Sequence, residues 1–505
     1  MMVERKLAGR EVQIGVLAVF VSLAVLTAVS NANGAFYDDE IFSIKLIQLG
    51  GSLRGVWALA NSFDVHPPLG YALDVALFKL SGSFKSVQLV VGLVNAVALA
   101  FMAKLAAQSL DRRTWWTLCA LLGTDASAVM WGASLRWYGW FNPIFTCALA
   151  VILWGRIGAF TGAVLVGLTG LALFHIGYLA VIVAPLLGLV WTWRFRVGID
   201  RATLVRSGAA IAIAGALCLP QLVVLLRVHL PYPVANSGPL PIALAQTLHE
   251  VLIGSAVFPI GVLPAAAALV LAFALASLAW QRSWVNRAWL APLALLVMGA
   301  ALLMALSGIG YRPRNALFAH LAALPLMAAG LARLPSPWRL AALIAVGTFQ
   351  LEGVANVALH QHTDKRSFNT PYPAMLSTIA LLSSTCRRTV IAHDDVVLDA
   401  LLSRRTPQYG LRSRAAQTLA AGDCVIVETG SVQVLDPAAR AQALAALARL
   451  PVRAEPPRVF GREPGMPVAA QLLHLSIEPE NATLTRWRMT HAATLPAIVG
   501  YVPQS

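Results

Sequence analysis

The sequence carries too little charge to be a soluble protein of its length. Only 12% of its 505 residues are Asp, Glu, Lys or Arg, against 58% hydrophobic residues and a mean hydropathy of +0.70. A soluble chain of this size must cover its surface with far more polar groups, so a polytopic membrane protein is expected. Acid is scarcer than base, 23 residues against 38, which leaves a net charge of +15. That excess invites a nucleic-acid reading. Yet the basic residues are scattered over short connectors between apolar runs, and no basic helix is interleaved with aromatics. No nucleic-acid partner is expected, because the cytoplasmic bias of basic membrane loops explains the charge more simply.

Cysteine is scarce too. The five present form no metal-ligand spacing. Cys119, Cys147 and Cys218 lie in apolar runs and read as packing residues, whereas Cys386 and Cys424 lie in the polar C-terminal part and could pair if it is outside the cytoplasm. There is no span-scale repeat, no low-complexity tract and no nucleotide-binding loop.

What the chain has is apolar runs long enough to cross a bilayer, which takes about 20 residues. Val12–Ser30 is the first span, and Arg5, Lys6 and Arg10 before it place the N-terminus in the cytoplasm. Asn31–Ala35 loosely resembles a leader-cleavage site, but the many spans that follow favour a retained helix. Leu69–Leu80 is short, carries Asp74 and Lys79, and follows Pro67 and Pro68, so it is expected to be an amphipathic helix on the outer membrane surface. Further spans then fall at 87–102, 114–131, 141–154, 157–174, 176–193, 207–226, 251–280, 288–307, 316–334 and 340–360. In this register nearly every purely basic connector faces the cytoplasm, and the loops mixing Asp, Glu, His, Tyr and Arg face out.

Residues 1–360 therefore read as a transmembrane domain of about eleven helices, with a first outer loop over 31–86. Residues 361–505 read as a separate extracytoplasmic α/β domain. Its segments "RRTVIAHDDVVLDALLSR", "GDCVIVETGS" and "LDPAARAQALAALARLP" suggest strand, helix, strand and helix.

Chemistry concentrates in the outer loops. "YDDEIFS" places Asp38, Asp39 and Glu40 side by side, and like charges in a row cost free energy unless cations lie near. Lys45, Arg54 and His66 share that loop; Arg136 lies in "SLRWYGWFNP", and Arg312 and Arg314 in "GYRPRN". An arginine between aromatics at a helix end also suits an interface anchor. Paired guanidinium forks on an outer turn suit an anion such as phosphate. Asp125 lies toward the outer end of the third span, and intramembrane acids are functional candidates by default.

In order and spacing these residues resemble the PMT/ArnT-like group of the GT-C glycosyltransferases (family 39 and its bacterial relatives). Members carry Tyr-Asp-Glu-Ala-Phe-Ser in the first outer loop, matched here by Tyr37-Asp38-Asp39-Glu40-Ile41-Phe42-Ser43. His-Pro-Pro-Leu then leads into an amphipathic helix, matched by His66-Pro67-Pro68-Leu69. Glu-Ala-Arg-Met-Tyr-Ala-Leu in the second loop corresponds to Ser134-Leu135-Arg136-Trp137-Tyr138-Gly139-Trp140, and a later Arg-Tyr turn to Tyr311-Arg312-Pro313-Arg314. Ser134 stands where relatives commonly carry an acid, which weakens a second catalytic or metal-holding carboxylate there.

The resemblance implies an inverting transfer of a sugar from a polyprenyl-phosphate donor to a glycan, lipid or protein acceptor of the cell envelope. It would occur on the outer face of a bacterial inner membrane, with membrane lipids as the surroundings. Asp39 is the implied base, with Glu40 orienting it and Asp38 as runner-up. Lys45, His66, Arg136, Arg312 and Arg314 are the implied phosphate ligands, Tyr138 and Tyr311 their hydrogen-bonding or stacking partners, and Asp125 a stand-in second acid. No cofactor or metal is required by this chemistry. A transporter or flippase of a lipid-linked anion is the alternative, and a membrane scaffold is a third reading. Transporters, however, place ionisable groups near midplane and show related halves.

Overall fold

The computed structural model describes residues 7–33, 36, 38–63, 66–197, 199–226, 247–254, 256, 289–307, 313–359, 372–392, 398, 417–429, 445, 448–461 and 481–495. The chain divides into two compact units that do not follow sequence order. One comprises Met1–Gly34, Ser52–Asp364 and Pro467–Leu473; the other comprises Ala35–Gly51, Lys365–Met466 and His474–Ser505.

The first unit is helical: α1 (Gly9–Asn33), then α3 (Leu53–Phe63), α4 (Leu69–Ser81), α5 (Phe84–Ala106), α6 (Arg112–Gly123), α7 (Ala126–Gly132), α8 (Trp137–Trp154) and α9 (Ala159–Ile176). It continues with α10 (Ala180–Phe195), α11 (Arg201–Leu217), α12 (Leu219–Val224), α13 (Leu290–Ser307), α14 (Pro313–Arg333) and α15 (Ser336–Ala358). Among the described residues six helices are long and apolar enough to cross a membrane: α1, α5, α8, α9, α14 and α15. α10 and α13 are shorter apolar helices. The chain is thus a multi-pass membrane protein.

The side chains explain why hydropathy alone finds these helices. On α1, Ile14, Leu17, Val21, Val25 and Val29 are exposed at helical spacing, while Val19, Leu23, Leu26 and Thr27 are buried. Both faces are apolar because one meets protein and the other meets lipid. α14 is the opposite case, buried over nearly its whole length. It packs on α6, α8 and α13, and Phe318 meets Phe145 edge to face at 5.5 Å.

Several expectations are revised. The third expected span, 114–131, is not one helix: α6 stops at Gly123, and Asp125 caps a new helix, α7, by accepting from the Ala128 N–H. An aspartate at that place offers the backbone a local hydrogen bond that competes with helix continuation. The expected span over 207–226 is likewise divided at Cys218, ahead of Pro220. The expected span over 251–280 falls almost wholly outside the described residues. The first outer loop holds two helices besides the one expected at 69–80, which is α4: α2 (Asp38–Gly50) and α3.

The second unit contains α2 (Asp38–Gly50), α16 (Tyr372–Ser383) and strands β1 (Thr389–Ala392), β2 (Gln417–Leu419), β3 (Cys424–Thr429), β4 (Val452–Ala454), β5 (Arg458–Gly461), β6 (Asn481–Met489) and β7 (Ala493–Leu495). β1 and β3 are parallel, a pairing that needs a crossover connection between them. The expected intervening and following helices lie largely outside the described residues. The sheet is mixed, because β6 inserts antiparallel to β3 and also pairs with β4 and β5; β2 and β7 form a separate ribbon. One face buries Ile391, Ile426 and Leu484 under Met375, Ile379 and Leu382 of α16, and Ile41 of α2 joins that cluster. The other face buries Val390, Val425, Val427 and Met489. Cys386 and Cys424 are joined by a disulfide, which ties the end of α16 to β3.

Candidate functional site

In the second unit, Asp38, Asp39 and Glu40 open α2. That answers much of why three acids stand together. The first turn of a helix exposes unpaired N–H groups and the positive end of the backbone dipoles, both of which favour carboxylates. The side chains of Asp38 and Asp39 lie outside the described residues. Glu40 is fully buried, on a stripe with Ser43 and Ile47 that adjoins Phe42 and Leu46. It is therefore not a solvated rim acid. Lys45, on the same helix, is half-buried.

In the first unit, Arg136 is the residue preceding α8, held in extended backbone, and it is only 2% exposed. This corrects the snorkelling-anchor reading, because Arg136 and its aromatic neighbours Trp137 and Tyr138 all point into protein. The guanidinium Nη1 donates to the Tyr71 hydroxyl at 2.7 Å. Tyr71 is on α4, and one turn further along that helix the Asp74 carboxylate accepts from the Trp140 indole N–H at 2.8 Å. α4 and the start of α8 are thus joined by two polar bridges between buried or partly buried groups. His66, just ahead of α4, stands over Trp137 with ring centroids 5.9 Å apart.

The backbone around Arg136 is fixed by close packing. Asn95 of α5 donates from one amide nitrogen toward the Val91, Gly132 and Gly139 carbonyls, which binds both sides of the turn to α5. A Cβ at Gly139 would lie 2.3 Å from the Ser134 carbonyl oxygen, so the turn closes only with glycine there. Ser134 is fully buried. Tyr138 is packed edge-on against Trp131 and Trp137 at 5.4 and 5.3 Å.

Asp125 is not alone inside the helical unit. His320 of α14 brings Nε2 to 3.3 Å from its carboxylate, and both side chains are 1% exposed. The sequence reading takes Asp125 as an intramembrane acid and overlooks His320, although an imidazole in an apolar run is itself a signal. It also passed over Tyr71 and Asp74 as site residues, although their spacing places both on one face of α4. Tyr311 and Arg312 lie outside the described residues; Arg314 begins α14, but its side chain is likewise outside them. Among the described residues no three His, Cys, Asp or Glu side chains converge as a metal site would require.

The chain thus comprises a bundle of membrane-length helices and a strand-bearing C-terminal region. No family model matches the sequence, and no curated protein matches it. Among solved structures the chain is similar to ArnT from Cupriavidus metallidurans in the apo state, at 13% identity and a TM-score of 0.55, with 94% of this chain and 98% of that one covered. It is also similar to the same protein bound to undecaprenyl phosphate, at 12% identity and a TM-score of 0.51, covering 94% and 97%. At such identity the likeness shows the fold, and it extends over both the helical bundle and the C-terminal region.

Proposed function

We propose that the chain is an inverting glycosyltransferase that takes a sugar from a polyprenyl-phosphate carrier. The observation that carries this reading is the fold likeness to ArnT along 94% of the chain, one of whose structures holds undecaprenyl phosphate. Residues matching the group's motifs stand in the same order along it.

In the proposed reaction an acceptor hydroxyl attacks the anomeric carbon while a carboxylate takes its proton. The bond from that carbon to the phosphate oxygen breaks, and the lipid phosphate leaves with the electron pair. Asp39 is the proposed base and Glu40 its orienting neighbour, with Asp38 as the alternate. Charge developing on the phosphate calls for fixed cations in a site partly closed to water. Arg136, Arg312, Arg314, Lys45 and His66 are proposed for that role, with Tyr311 as a hydrogen-bonding partner. The packing of Tyr138 between two tryptophans supports a scaffolding role for its ring. One base and an arginine-held phosphate need no Lewis acid, so transfer is proposed to proceed without a resident metal.

The proposed setting is a bacterial inner membrane, with the site and C-terminal domain on the extracytoplasmic side. The Cys386–Cys424 bond supports an oxidising compartment for that domain. The acceptor is proposed to be an envelope glycan, lipid or protein. Purified protein incubated with a panel of polyprenyl-phosphate sugars should release sugar to an acceptor or to water, with and without chelator. Flipping of the lipid across vesicles with no release would replace this reading with a transporter.

A further inference from the structure

The buried pair Asp125–His320 is the best-defined ionisable cluster outside the residues just assigned. Asp125 Oδ1 accepts the Ala128 N–H, and Oδ2 faces His320 Nε2 at 3.3 Å. His320 Nδ1 lies 3.0 Å from the Val251 carbonyl oxygen. A carbonyl only accepts, so Nδ1 carries a hydrogen. A further proton between Nε2 and Oδ2 would make the pair imidazolium with carboxylate or imidazole with carboxylic acid. Both states are neutral overall, which suits an interior where an unmatched charge is costly.

Around the pair, other buried groups hold the same short strip of backbone. Ser127 Oγ accepts the Ala256 N–H at 3.0 Å, and Asn356 of α15 donates to the Ala256 carbonyl at 3.0 Å. Gly254 adopts φ +92, and a Cβ there would come within 2.4 Å of Ser127 Oγ and 3.4 Å of His320 Cε1. Side chains from α7, α14 and α15 therefore converge on Val251, Gly254 and Ala256.

We propose that Asp125 and His320 are positioning residues: a proton-sharing clasp that fixes strip 251–256 between α7, α14 and α15, and not a second catalytic acid. The same clasp sets the register of α7, which leads into the Arg136 turn, against α14, which begins beside Arg314. The geometry makes a sharp distinction. In Asp125→Asn the amide oxygen can still cap Ala128, and the amide N–H can donate to a neutral His320 whose Nδ1–H still reaches Val251. The Ala128 and Val251 hydrogen bonds and the 3.3 Å contact can all survive while the acid is gone.

The test uses the full-length protein in detergent or nanodiscs. Hydrogen exchange of peptides covering 251–256 should be close to wild type in Asp125→Asn and at least about 10-fold faster in Asp125→Ala and His320→Ala. Unchanged exchange in both alanine variants overturns the clasp. The activity arm rests on the transferase reading: kcat and donor KM of Asp125→Asn should stay within about 3-fold of wild type, where loss of a general acid or base would cost about 100-fold or more. A loss of that size in Asp125→Asn, with normal exchange, overturns the positioning role and restores Asp125 as a catalytic acid. Should wild type transfer no sugar, the transferase reading falls, and the exchange arm still decides the clasp.

Discussion

The Arg136 guanidinium and the Tyr71 hydroxyl lie 2.7 Å apart across 65 residues of sequence, with both side chains buried. A cation in that position must be held by its neighbours, because the interior does not solvate it. Tyr71→Phe should cost about 1 kcal/mol of stability and raise the donor KM more than it lowers kcat. Arg136→Lys keeps the charge but loses the planar fork, and should impair transfer more severely. Thermal unfolding and steady-state kinetics on the two variants check this; equal impairment would assign the pair to folding alone.

Asp39→Asn should lower transfer by about 100-fold or more while leaving expression and melting temperature unchanged. Asparagine suits the start of a helix, so α2 should still form. Turnover at the wild-type rate would remove Asp39 from the reaction and leave Asp38 as the base.

Single cysteines placed at Asp38 and at Tyr311, in a background lacking native free thiols, should both react with an impermeant maleimide from the extracytoplasmic side. Labelling from opposite sides would separate the acidic helix from the arginine turn and end the proposal of a common reaction.

Acid should loosen the C-terminal sheet through Asp423. Burial pushes its carboxyl up, but the Arg387 guanidinium at 3.0 Å, the Ala420 N–H and the charge of Arg388 outweigh burial and hold it below the usual carboxylate range. A carboxyl depressed on folding stabilises fully above its unfolded pKa, and that contribution is lost as pH falls through the folded value. Exchange of β3 and β6 amides in the full chain should therefore rise below the ordinary carboxylate range. In Asp423→Asn the exchange should be faster at neutral pH and less dependent on acid.

The long helices were legible because a lipid-facing helix must be apolar on both sides, and runs such as 12–30 and 87–102 have no other explanation. Breaks inside apolar runs were harder to see. Hydropathy passes smoothly over Thr124 and Asp125, and only the capping chemistry of an aspartate before Ala126 marks the new helix. Arg136 was legible as a residue of interest but not as an interior one. A guanidinium flanked by tryptophan and tyrosine reads the same at a membrane surface as in a core, and its partner Tyr71 is far away in sequence. The placement of α2 was beyond reach for a similar reason. Its buried stripe shows that it packs on something, but apolar contact has no sequence address, and Ile41 meets residues more than 300 positions later. β6 was missed because its alternating arginines and threonines carry little hydrophobic signal.

That seat for Ile41 bears on how the protein can be taken apart. The polypeptide leaves the helical unit after Gly34, contributes α2 to the sheet-bearing unit, and returns at Ser52. A truncation after residue 360 would therefore not release an intact membrane half. It would strip the acidic helix of its apolar support, and the lost activity of such a fragment would say nothing about what the C-terminal region recognises. The two units are stitched, and informative surgery on either must leave the stitch in place.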